Sequence, residues 1–549
     1  MEVPLSPLAL CQRGFDLYPD RTAVLDDGLR ITYAELQRRI ERLAGALRDL
    51  GAGPGDRVAL LAPNIPEAFE CYTAVPLLGA VLVPLNLRLA PEELIHILDH
   101  SEARFLIAHT PLLPGLEPLL GRRPDLRLLT LGGRVPGHPS YEEATAAARP
   151  LPFDAEAVDE RQLLSINYTS GTTARPKGVR QTHRNNYLNA VDMILALHLG
   201  PRDVCLHVAP LFHANGWGLI WGTLAVGAAN VMLRKVDPAE IFRRIERYGV
   251  TLFGAAATVL TLCLEHARSQ RLREVPGRGR VRWLVGGMAP PAEVIRRVEE
   301  ELGWEVVHLY GLTEVTAFVT RHETTAEEAL LDPAERARRK GRQGVPLPLA
   351  GRVRVVREDL SDVARNGEEL GEVVVRGNVV MEGYHRDPEG TARAFAGGWF
   401  HTGDLAVWHP DGQIEVRDRA KDVIVSGGEK IPSLEVEGVL YRHPAVAQVA
   451  VVAGPHPLWG ETPVAFVVLR RGAEATPEEL VRWCRERLPH FKAPTRVELV
   501  ADLPRSAAGK IQKSLLRQRL LSRRDEAGPA AEAAAAVPRP PSSAGETRA

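Results

Sequence analysis

The segment Tyr168–Gly178 concentrates side chains of the kind that bind phosphate. It contains four Ser or Thr hydroxyls, two glycines and one lysine, and it follows the apolar run Leu163–Ile166, which predicts a strand. Hydroxyls, closely approaching backbone amides and an ammonium group together suit a polyphosphate. In a Walker A loop glycine directly precedes the lysine, whereas Pro176 precedes Lys177 here. The segment therefore predicts a phosphate-binding loop of another kind.

Lysine is rare in this chain, since only 8 of its 68 basic residues are lysine. Lysine and arginine are not interchangeable at binding sites, so a rare lysine marks a position where a compact ammonium group is a candidate functional group. Several of these residues lie in glycine-rich or otherwise unusual segments, namely Lys177, Lys421, Lys430, Lys510 and Lys513.

Further polar or glycine-rich segments follow the first one along the chain. They are Phe212–Trp217, Gly286–Pro290, Tyr310–Glu314, Trp399–Asp404, Arg417–Gly428 and Leu503–Lys513. Together with Tyr168–Gly178, they resemble in type and order the motifs of the adenylate-forming superfamily, which includes acyl-CoA synthetases, peptide-synthetase adenylation domains and luciferases. The resemblance extends over about residues 10–520, and several neighbouring stretches are similar to short- and medium-chain acyl-CoA synthetases.

This resemblance implies a site for ATP and Mg²⁺. The ring of Tyr310 would stack on adenine, and the Asp404 carboxylate would accept hydrogen bonds from both ribose hydroxyls. Thr172 and Glu314 would share Mg²⁺, a cation that takes oxygen ligands. The residues implied for ATP are Thr169, Ser170, Gly171, Thr172, Thr173, Lys177, Gly287, His308, Leu309, Tyr310, Asp404 and Arg419.

The residues implied for catalysis are Thr313, Glu314 and Lys510. Lys510 would reach the active site from a small C-terminal domain and bind both the attacking carboxylate and the α-phosphate. A fixed cation stabilises a transition state in which two anions meet more than it stabilises the separated reactants. Lys421 matches the hinge between the large and small domains of the family.

The resemblance also implies pockets for the other two substrates. His213, Trp217 and Met288 would bound the acyl group of a carboxylic acid. Gly427 and Gly428 would line a tunnel for the pantetheine arm of coenzyme A, where the missing side chains leave room for a thin substrate. The chain departs from the family pattern at Met288, where a small residue is commoner, and at Ala174, where the family has glycine.

Hydrophobic patterning predicts the elements that must position these residues. Helical and strand patterns alternate over most of the chain, as in the helix Tyr33–Leu50 followed by the strand Arg57–Ala62, which indicates parallel sheets covered by helices. Two short strands after Gly344 indicate a small antiparallel or barrel-like element. We therefore predict an α/β fold with an adenylation domain at 1–418, a hinge at 419–424, a small, mobile α+β domain at 425–521 and a disordered Ala/Pro-rich tail at 522–549.

Composition excludes several other classes of protein. The formal net charge is −1, which argues against a nucleic-acid-binding protein, since such proteins usually have a basic excess. The composition is 45% hydrophobic and 25% charged, as in soluble globular proteins. Five scattered cysteines and no signal-peptide pattern predict a reducing compartment, the cytoplasm. We expect no transmembrane segment, and the prediction allows a homodimer.

We therefore interpret the chain as an AMP-forming acyl-CoA synthetase that activates a short- or medium-chain fatty acid through an acyl-AMP intermediate. Its co-substrates would be ATP and coenzyme A, and its cofactor Mg²⁺. Two alternatives stay open at this point. One is an adenylation enzyme that loads a separate carrier protein, and the other is an inactive protein that only binds acyl-adenylate.

Overall fold

The computed structural model describes residues 2–169, 176–287, 289–505 and 511–522. The chain divides into two compact units, Met1–Val416 and Arg417–Ala549. This division lies close to the predicted start of the hinge. The predicted tail from residue 523 onward is outside the described residues.

The first unit alternates strands and helices as predicted. Its strands are β1 (Thr22–Asp26), β2 (Leu29–Thr32), β3 (Arg57–Leu61), β4 (Val81–Pro84), β5 (Phe105–His109), β6 (Arg127–Leu131), β7 (Leu163–Thr169), β8 (Lys177–Thr182), β9 (Val204–His207), β10 (Ala229–Met232), β11 (Leu252–Gly254), β12 (Arg282–Val285), β13 (Glu305–Tyr310), β14 (Thr320–Arg321), β15 (Val345–Pro346), β16 (Arg352–Val356), β17 (Gly371–Arg376), β18 (Gly383–Tyr384), β19 (Phe400–Trp408) and β20 (Ile414–Arg419), the last of which crosses the boundary. Its helices are α1 (Pro7–Leu17), α2 (Tyr33–Asp49), α3 (Pro66–Leu77), α4 (Pro91–His100), α5 (Glu117–Arg122), α6 (Tyr141–Ala147), α7 (His183–Leu197), α8 (Ala214–Trp217), α9 (Leu219–Ala225), α10 (Pro238–Tyr248), α11 (Ala257–Ser269), α12 (Ala292–Arg297), α13 (Ala326–Ala329), α14 (Pro333–Lys340) and α15 (Pro388–Ala394).

Local signals in the sequence explain where these helices begin. Helix α2 starts with a capping box in which the Thr32 hydroxyl accepts a hydrogen bond from the Glu35 backbone N–H and the Glu35 carboxylate accepts one from Thr32. The two side chains satisfy N–H groups that would otherwise lack a partner at the helix start. Helix α3 begins at Pro66, a residue whose fixed φ suits the first turn.

The larger of the two main sheets carries two of the predicted site segments, Gly286–Pro290 and Tyr310–Glu314, at the ends of β12 and β13. Within the described residues its strand order is β15-β14-β13-β12-β11-β9-β10-β1-β2. The strands from β13 to β1 pair in parallel, and antiparallel strands flank them at both edges. In such sheets ligands bind outside the carboxyl ends of the strands. Gly254, Gly286 and Tyr310 lie at or directly after those ends.

The second main sheet has the order β18-β8-β7-β4-β3-β5-β6 within the described residues. Strands β7, β4, β3, β5 and β6 pair in parallel, as the sequence predicted. Strands β7 and β8 pair antiparallel, so the predicted phosphate loop connects the two strands of a hairpin. This pairing places Thr169 opposite Lys177.

The small element predicted after Gly344 is a sheet in the order β16-β17-β19-β20, in which the β16–β17 and β17–β19 pairs are antiparallel. Its long strand β19 contains Asp404, so this residue reaches Tyr310 from a different sheet of the first unit. In the described part of the chain, none of the helices is both long and apolar enough to cross a membrane.

The second unit is the predicted α+β domain. Its elements after β20 are β21 (Ile424–Ser426), β22 (Glu429–Ile431), α16 (Ser433–Tyr441), β23 (Val446–His456), β24 (Gly460–Leu469), α17 (Pro477–Arg485) and β25 (Arg496–Leu499), and residues 513–522 are helical. Its sheet has the order β22-β21-β24-β23, with β25 parallel to β24. The side chains of Val449, Val451, Ala465 and Val467 are fully buried in its core.

Candidate active site

The ends of the β7–β8 hairpin present a hydroxyl and an ammonium group side by side. Thr169 is the last residue of β7, and Lys177 is the first residue of β8. Both side chains are half-buried. The other predicted phosphate ligands, Ser170, Gly171, Thr172 and Thr173, lie outside the described residues, and their roles stay predictions.

Lys177 is held by residues that the sequence analysis did not single out. Its Nζ lies 3.4 Å from Asp387 Oδ2 and 4.7 Å from the centre of the Tyr384 ring. Asp387 Oδ1 accepts a hydrogen bond of 2.8 Å from the Gly390 N–H at the start of α15. This bond and the nearby Lys177 ammonium lower the pKa of Asp387. The ionised carboxylate and the ring face together fix the direction of the Lys177 ammonium.

Glu314 is connected to Lys177 through the same tyrosine. The Tyr384 hydroxyl donates a hydrogen bond of 3.1 Å to Glu314 Oε1, and burial together with the Glu314 carboxylate raises the pKa of Tyr384. The Met381 N–H donates to the Glu314 carbonyl at 2.8 Å. The structure thereby brings together the predicted phosphate-binding lysine and the predicted metal-binding carboxylate.

The residues present fit a Mg²⁺ ion held jointly with substrate phosphates. Mg²⁺ usually keeps several waters and takes one or two carboxylates plus phosphate oxygens, without an all-protein cage. Across the described ranges, no three His, Cys, Asp or Glu side chains cluster to hold a metal ion. Glu314 is half-buried and bonded to Tyr384, whose ring also contacts Lys177, so it would supply one carboxylate. Thr172, the other predicted ligand, is outside the described residues.

Replacing Glu314 by glutamine tests this assignment. The amide keeps the hydrogen bond from Tyr384 but removes the negative charge, so we expect the fold to be retained and the Mg²⁺ concentration for half-maximal adenylation to rise about tenfold. Pyrophosphate release is measured against Mg²⁺ concentration at saturating ATP. Unchanged adenylation at limiting Mg²⁺ would remove Glu314 from the metal site.

Tyr310 and Asp404 form the second pair of predicted ligands that the structure brings together. The Tyr310 hydroxyl donates a hydrogen bond of 2.8 Å to Asp404 Oδ2. Both side chains are buried, with 9% and 4% of their surface exposed. The predicted adenine ligand, the Tyr310 ring, and the predicted ribose ligand, the Asp404 carboxylate, therefore lie next to each other.

The side chains of His308 and Leu309 face the core of the first unit. Leu309 is fully buried, and His308 Nδ1 lies 3.1 Å from the Lys340 carbonyl oxygen. Burial lowers the pKa of His308 to about 4, so its imidazole is neutral at neutral pH. These two residues could therefore contact ATP through their backbone only. Gly287, which has a φ of 81°, adopts a conformation that favours glycine.

The predicted acyl segment has an unusual backbone. The residues Ala214 to Gly218 all have positive φ, between 33° and 73°. For Ala214, Asn215 and Trp217 this left-handed conformation costs roughly 1–2 kcal/mol each, and such costs concentrate at functional sites. His213 precedes the turn, and its imidazole lies 4.6 Å from the Phe212 ring between ring centres.

The left-handed turn places the Trp217 indole over the carboxyl end of β11. A Cβ atom on Gly254 would lie only 2.6 Å from Trp217 Cε3, so glycine is required beneath the indole. The edge of Trp217 packs on Phe318 with 5.2 Å between ring centres, and Phe318 in turn covers Gly286. Two aromatic rings therefore fill the space above two glycines. Met288, the third predicted pocket residue, is outside the described residues.

Replacing Trp217 by alanine tests the role of this indole as a wall. Removing the indole opens space above Gly254, so we expect the preference among straight-chain acids to shift towards longer chains by about tenfold in kcat/KM, the effect of one or two methylene groups in an apolar pocket. Adenylation is measured over acids from acetate to palmitate, with the exposed Leu330→Ala variant as the control. An unchanged chain-length profile would place Trp217 outside the pocket.

The second unit contains the other predicted site residues. Arg419 ends β20, and Lys421 lies in the turn that follows. Gly427 and Gly428, with φ of 58° and 90°, form the two-residue loop between β21 and β22, where glycine is favoured because both central residues need positive φ. Lys510 lies outside the described residues.

The sequence carried one signal for the residues that the analysis missed. Tyr384 and Asp387 lie in a Gly-Tyr-His-Arg-Asp-Pro run, and an aspartate directly before proline is typical of a helix start. Asp387 does cap α15. Its second role, the contact with Lys177, depends on the pairing of β18 with β8, which places Tyr384 opposite Val179.

Comparisons with known proteins agree with this geometry. The chain matches the family described as AMP-binding enzyme over residues 11–385 and the AMP-binding enzyme C-terminal domain over residues 435–510. It is 39% identical to a peroxisomal butyrate–CoA ligase, AAE11, of Arabidopsis thaliana, over 96% of this chain and 95% of that protein.

Two solved structures are similar over nearly the whole chain. ATP-bound MatB from Rhodopseudomonas palustris has a TM-score of 0.82 at 28% identity, over 93% of this chain and 98% of MatB. The anthranilate–CoA ligase AuaEII in complex with anthranoyl-AMP has a TM-score of 0.84 at 26% identity, over 95% of this chain and 99% of AuaEII. The sequence matches and the arrangement around Lys177, Glu314, Tyr310 and Asp404 lead to one conclusion: the chain belongs to the AMP-binding enzyme family, among its acyl-CoA synthetases.

Proposed function

We propose that this acyl-CoA synthetase activates a short, branched or aromatic carboxylic acid with ATP and transfers the acyl group to coenzyme A. The observation that carries the proposal is the link from Lys177 to Glu314 through Tyr384, because it joins a cation for phosphate to a carboxylate for a metal. The Tyr310–Asp404 pair supports the assignment of a nucleoside to the same unit.

The reaction needs no nucleophilic side chain. A carboxylate oxygen of the acid attacks the α-phosphorus of ATP, and the bond to pyrophosphate breaks with its electron pair leaving on pyrophosphate. The thiol of coenzyme A then attacks the acyl carbon, the bond to AMP breaks, and the thiol proton passes to solvent. Bound Mg²⁺ would neutralise phosphate charge. Catalysis by the chain is positioning and electrostatic stabilisation.

In the first step Lys177 would bind phosphate oxygens, and Asp387 and Tyr384 would keep its ammonium aimed at them. The Asp404 carboxylate would accept the ribose hydroxyls while the Tyr310 ring packs on adenine. We assign Lys510 to the approach of the acid to the α-phosphate, and Arg419 to the nucleotide. For the second step we propose that the Gly427–Gly428 loop borders the pantetheine arm.

The acid is proposed from the packing around Trp217. An indole and the Phe318 ring cover Gly254 and Gly286, which leaves little depth for a long chain. This favours short and branched acids, or a flat aromatic ring that can stack on Trp217. The names of the similar ligases, which act on butyrate and anthranilate, support the same range.

The state of the cysteine thiols supports a proposal for the cellular compartment of the protein. Cys11, Cys71, Cys205, Cys263 and Cys484 are all buried and free, which suits a reducing compartment. The cytoplasm predicted from the sequence is one such compartment, whereas the Arabidopsis relative is named as peroxisomal. Imaging of the tagged protein in its own cells distinguishes the two.

An acid panel tests the proposed function directly. Pyrophosphate release and thioester formation are measured from acetate to palmitate, with a branched acid such as isobutyrate and with benzoate, each with and without coenzyme A. We expect adenylation of short, branched or aromatic acids and acyl-CoA only when coenzyme A is present. Adenylation without any transfer to coenzyme A would favour a carrier-loading enzyme, and no adenylation of any acid would contradict the proposal.

A further inference from the structure

A cluster of buried polar side chains lies between the segment predicted for the acyl group and the segment predicted for the metal. We call it the amide cluster, and it consists of Ser165, Asn167, Gln181, Asn186 and Asn215. Each of these side chains has at most 2% of its surface exposed. They come from β7, β8, α7 and the left-handed turn. Buried amides are costly unless they are hydrogen-bonded, and a hydrogen-bonded network favours one arrangement of the elements that it joins. The amide nitrogens of Asn167, Gln181 and Asn215 are all hydrogen-bonded, whereas the Oδ1 atoms of Asn167 and Asn215 have no partner among the described residues.

Asn215 attaches the left-handed turn to this cluster. Its Nδ2 lies 2.7 Å from Ser165 Oγ, 2.9 Å from Gln181 Oε1 and 2.9 Å from Asn186 Oδ1. Asn215 has a φ of 45° and is followed two residues later by Trp217. The cluster thereby holds the turn that aims the indole over Gly254.

Gln181 attaches the metal segment to the same cluster. Its Nε2 donates a hydrogen bond of 2.8 Å to the Thr313 carbonyl, directly before Glu314. Its Oε1 accepts from Asn215 and, at 3.0 Å, from Asn167. One side chain therefore contacts the acyl segment through its oxygen and the metal segment through its nitrogen.

The position of Gln181 in the sheet explains this double contact. Gln181 lies on β8 opposite Ser165 on β7, four residues beyond Lys177. Its side chain is fully buried, so it has no path to substrate and acts through its neighbours. The strand that begins with the phosphate-binding lysine thus also fixes the segments for the acid and the metal.

We propose that Gln181 is a positioning residue that sets both the acid preference and the Mg²⁺ requirement of this enzyme, by holding the Trp217 turn through Asn215 and the Glu314 segment through the Thr313 carbonyl. The inference rests on the proposed function, because it assigns these two properties to an acid-activating enzyme.

Two substitutions separate the two contacts. Gln181→Met keeps the length of the side chain and removes its hydrogen bonds with Asn215, Asn167 and the Thr313 carbonyl. Asn215→Gly removes only the amide of the turn and tolerates its positive φ. The matched control is Asn230→Leu, a buried amide on β10 that bonds to His207, Thr223 and the Ala23 carbonyl instead.

The measurements are the Mg²⁺ concentration for half-maximal adenylation, the ratio of kcat/KM for butyrate and octanoate, and the melting temperature. For Gln181→Met we expect the half-saturating Mg²⁺ concentration and the acid ratio each to change about tenfold, the effect of losing one buried hydrogen bond. For Asn215→Gly we expect the acid ratio to change and the Mg²⁺ requirement to stay within twofold. Asn230→Leu should lower the melting temperature and change neither property.

A structural role alone would lower the melting temperature or kcat of Gln181→Met and leave both properties as in the wild type, and that result would overturn the inference. If Gln181→Met does not fold, Gln181→Asn, which is shorter by one methylene group, replaces it with the same expectation.

Failure of the proposed function gives a different result, since the wild type itself would then adenylate no acid. In that case Mg²⁺-dependent ATP binding, measured by calorimetry, tests the contact with Thr313: equal affinity in wild type and Gln181→Met would overturn the inference.

Discussion

Alanine at Lys510 is expected to slow adenylation by about 10²–10³-fold, the effect of removing one preorganised donor at a site of developing charge. Two anions meet in that step, and the predicted ammonium would stabilise the α-phosphoryl group as charge builds on it. The same variant should convert supplied acyl-AMP and coenzyme A to thioester at close to the normal rate, because the encounter of carboxylate and phosphate is already complete.

Pyrophosphate release measures the first half-reaction of the Lys510→Ala variant, and thioester formation from synthetic acyl-AMP measures the second. Lys235→Ala is a matched control, since Lys235 is an exposed lysine of the first unit with no predicted role. Equal loss of both half-reactions in Lys510→Ala would instead make Lys510 a general stabiliser of the fold.

The rarity of lysine identified Lys513 as a candidate functional residue, but the structure gives this lysine a role in packing. Lys513 Nζ lies 2.8 Å from Glu437 Oε1, and only 13% of the lysine side chain and 9% of the glutamate side chain are exposed. It also donates to the Ser433 hydroxyl. Removing one member of a buried ion pair leaves an uncompensated charge. Lys513 therefore serves to neutralise the Glu437 carboxylate. The position of Lys513 near Lys510 in the sequence thus reflects packing of the second unit.

The alternating pattern of helices and strands was sufficient to predict the parallel sheets, because each buried strand and each amphipathic helix carries its own periodicity. The predicted helix Tyr33–Leu50, for example, is observed as Tyr33–Asp49. The antiparallel pairing of β8 with β7 was not predicted. Strand β8 has the sequence Lys-Gly-Val-Arg-Gln-Thr, and its polar residues give no clear alternation of the kind that marks a strand.

The amide cluster could not be predicted for a different reason. Its members are spread from Ser165 to Asn215, and each, taken alone, is an ordinary polar residue. Asn215 bonds to Gln181 across 34 positions and Gln181 to Thr313 across 132. Periodicity describes which face of an element is buried, whereas these contacts depend on the order of the strands within the sheets.

Proline at Lys421 is expected to divide the two half-reactions in the opposite way. Lys421 lies in a turn in which the N–H groups of Asp422 and Val423 both donate to the Arg419 carbonyl, and its own carbonyl accepts a hydrogen bond of 2.7 Å from Arg517. Proline fixes φ near −65° and restricts the residue before it. A hinge that must change its backbone angles between the two steps would then be held in one state.

We expect Lys421→Pro to form acyl-AMP at close to the normal rate and to form thioester more than about a hundredfold more slowly, since a cost of roughly 3 kcal/mol for a misplaced proline corresponds to that factor. Lys421→Ala is the matched control, because alanine removes the same side chain but keeps the backbone N–H and its freedom of rotation. It should retain both half-reactions.

If Lys421→Ala loses thioester formation as Lys421→Pro does, the side chain matters and the backbone of the hinge does not. If both variants keep both half-reactions, Lys421 is not part of a hinge. If Lys421→Pro loses adenylation as well, the turn serves the first step too, and a hinge that acts only between the steps is wrong.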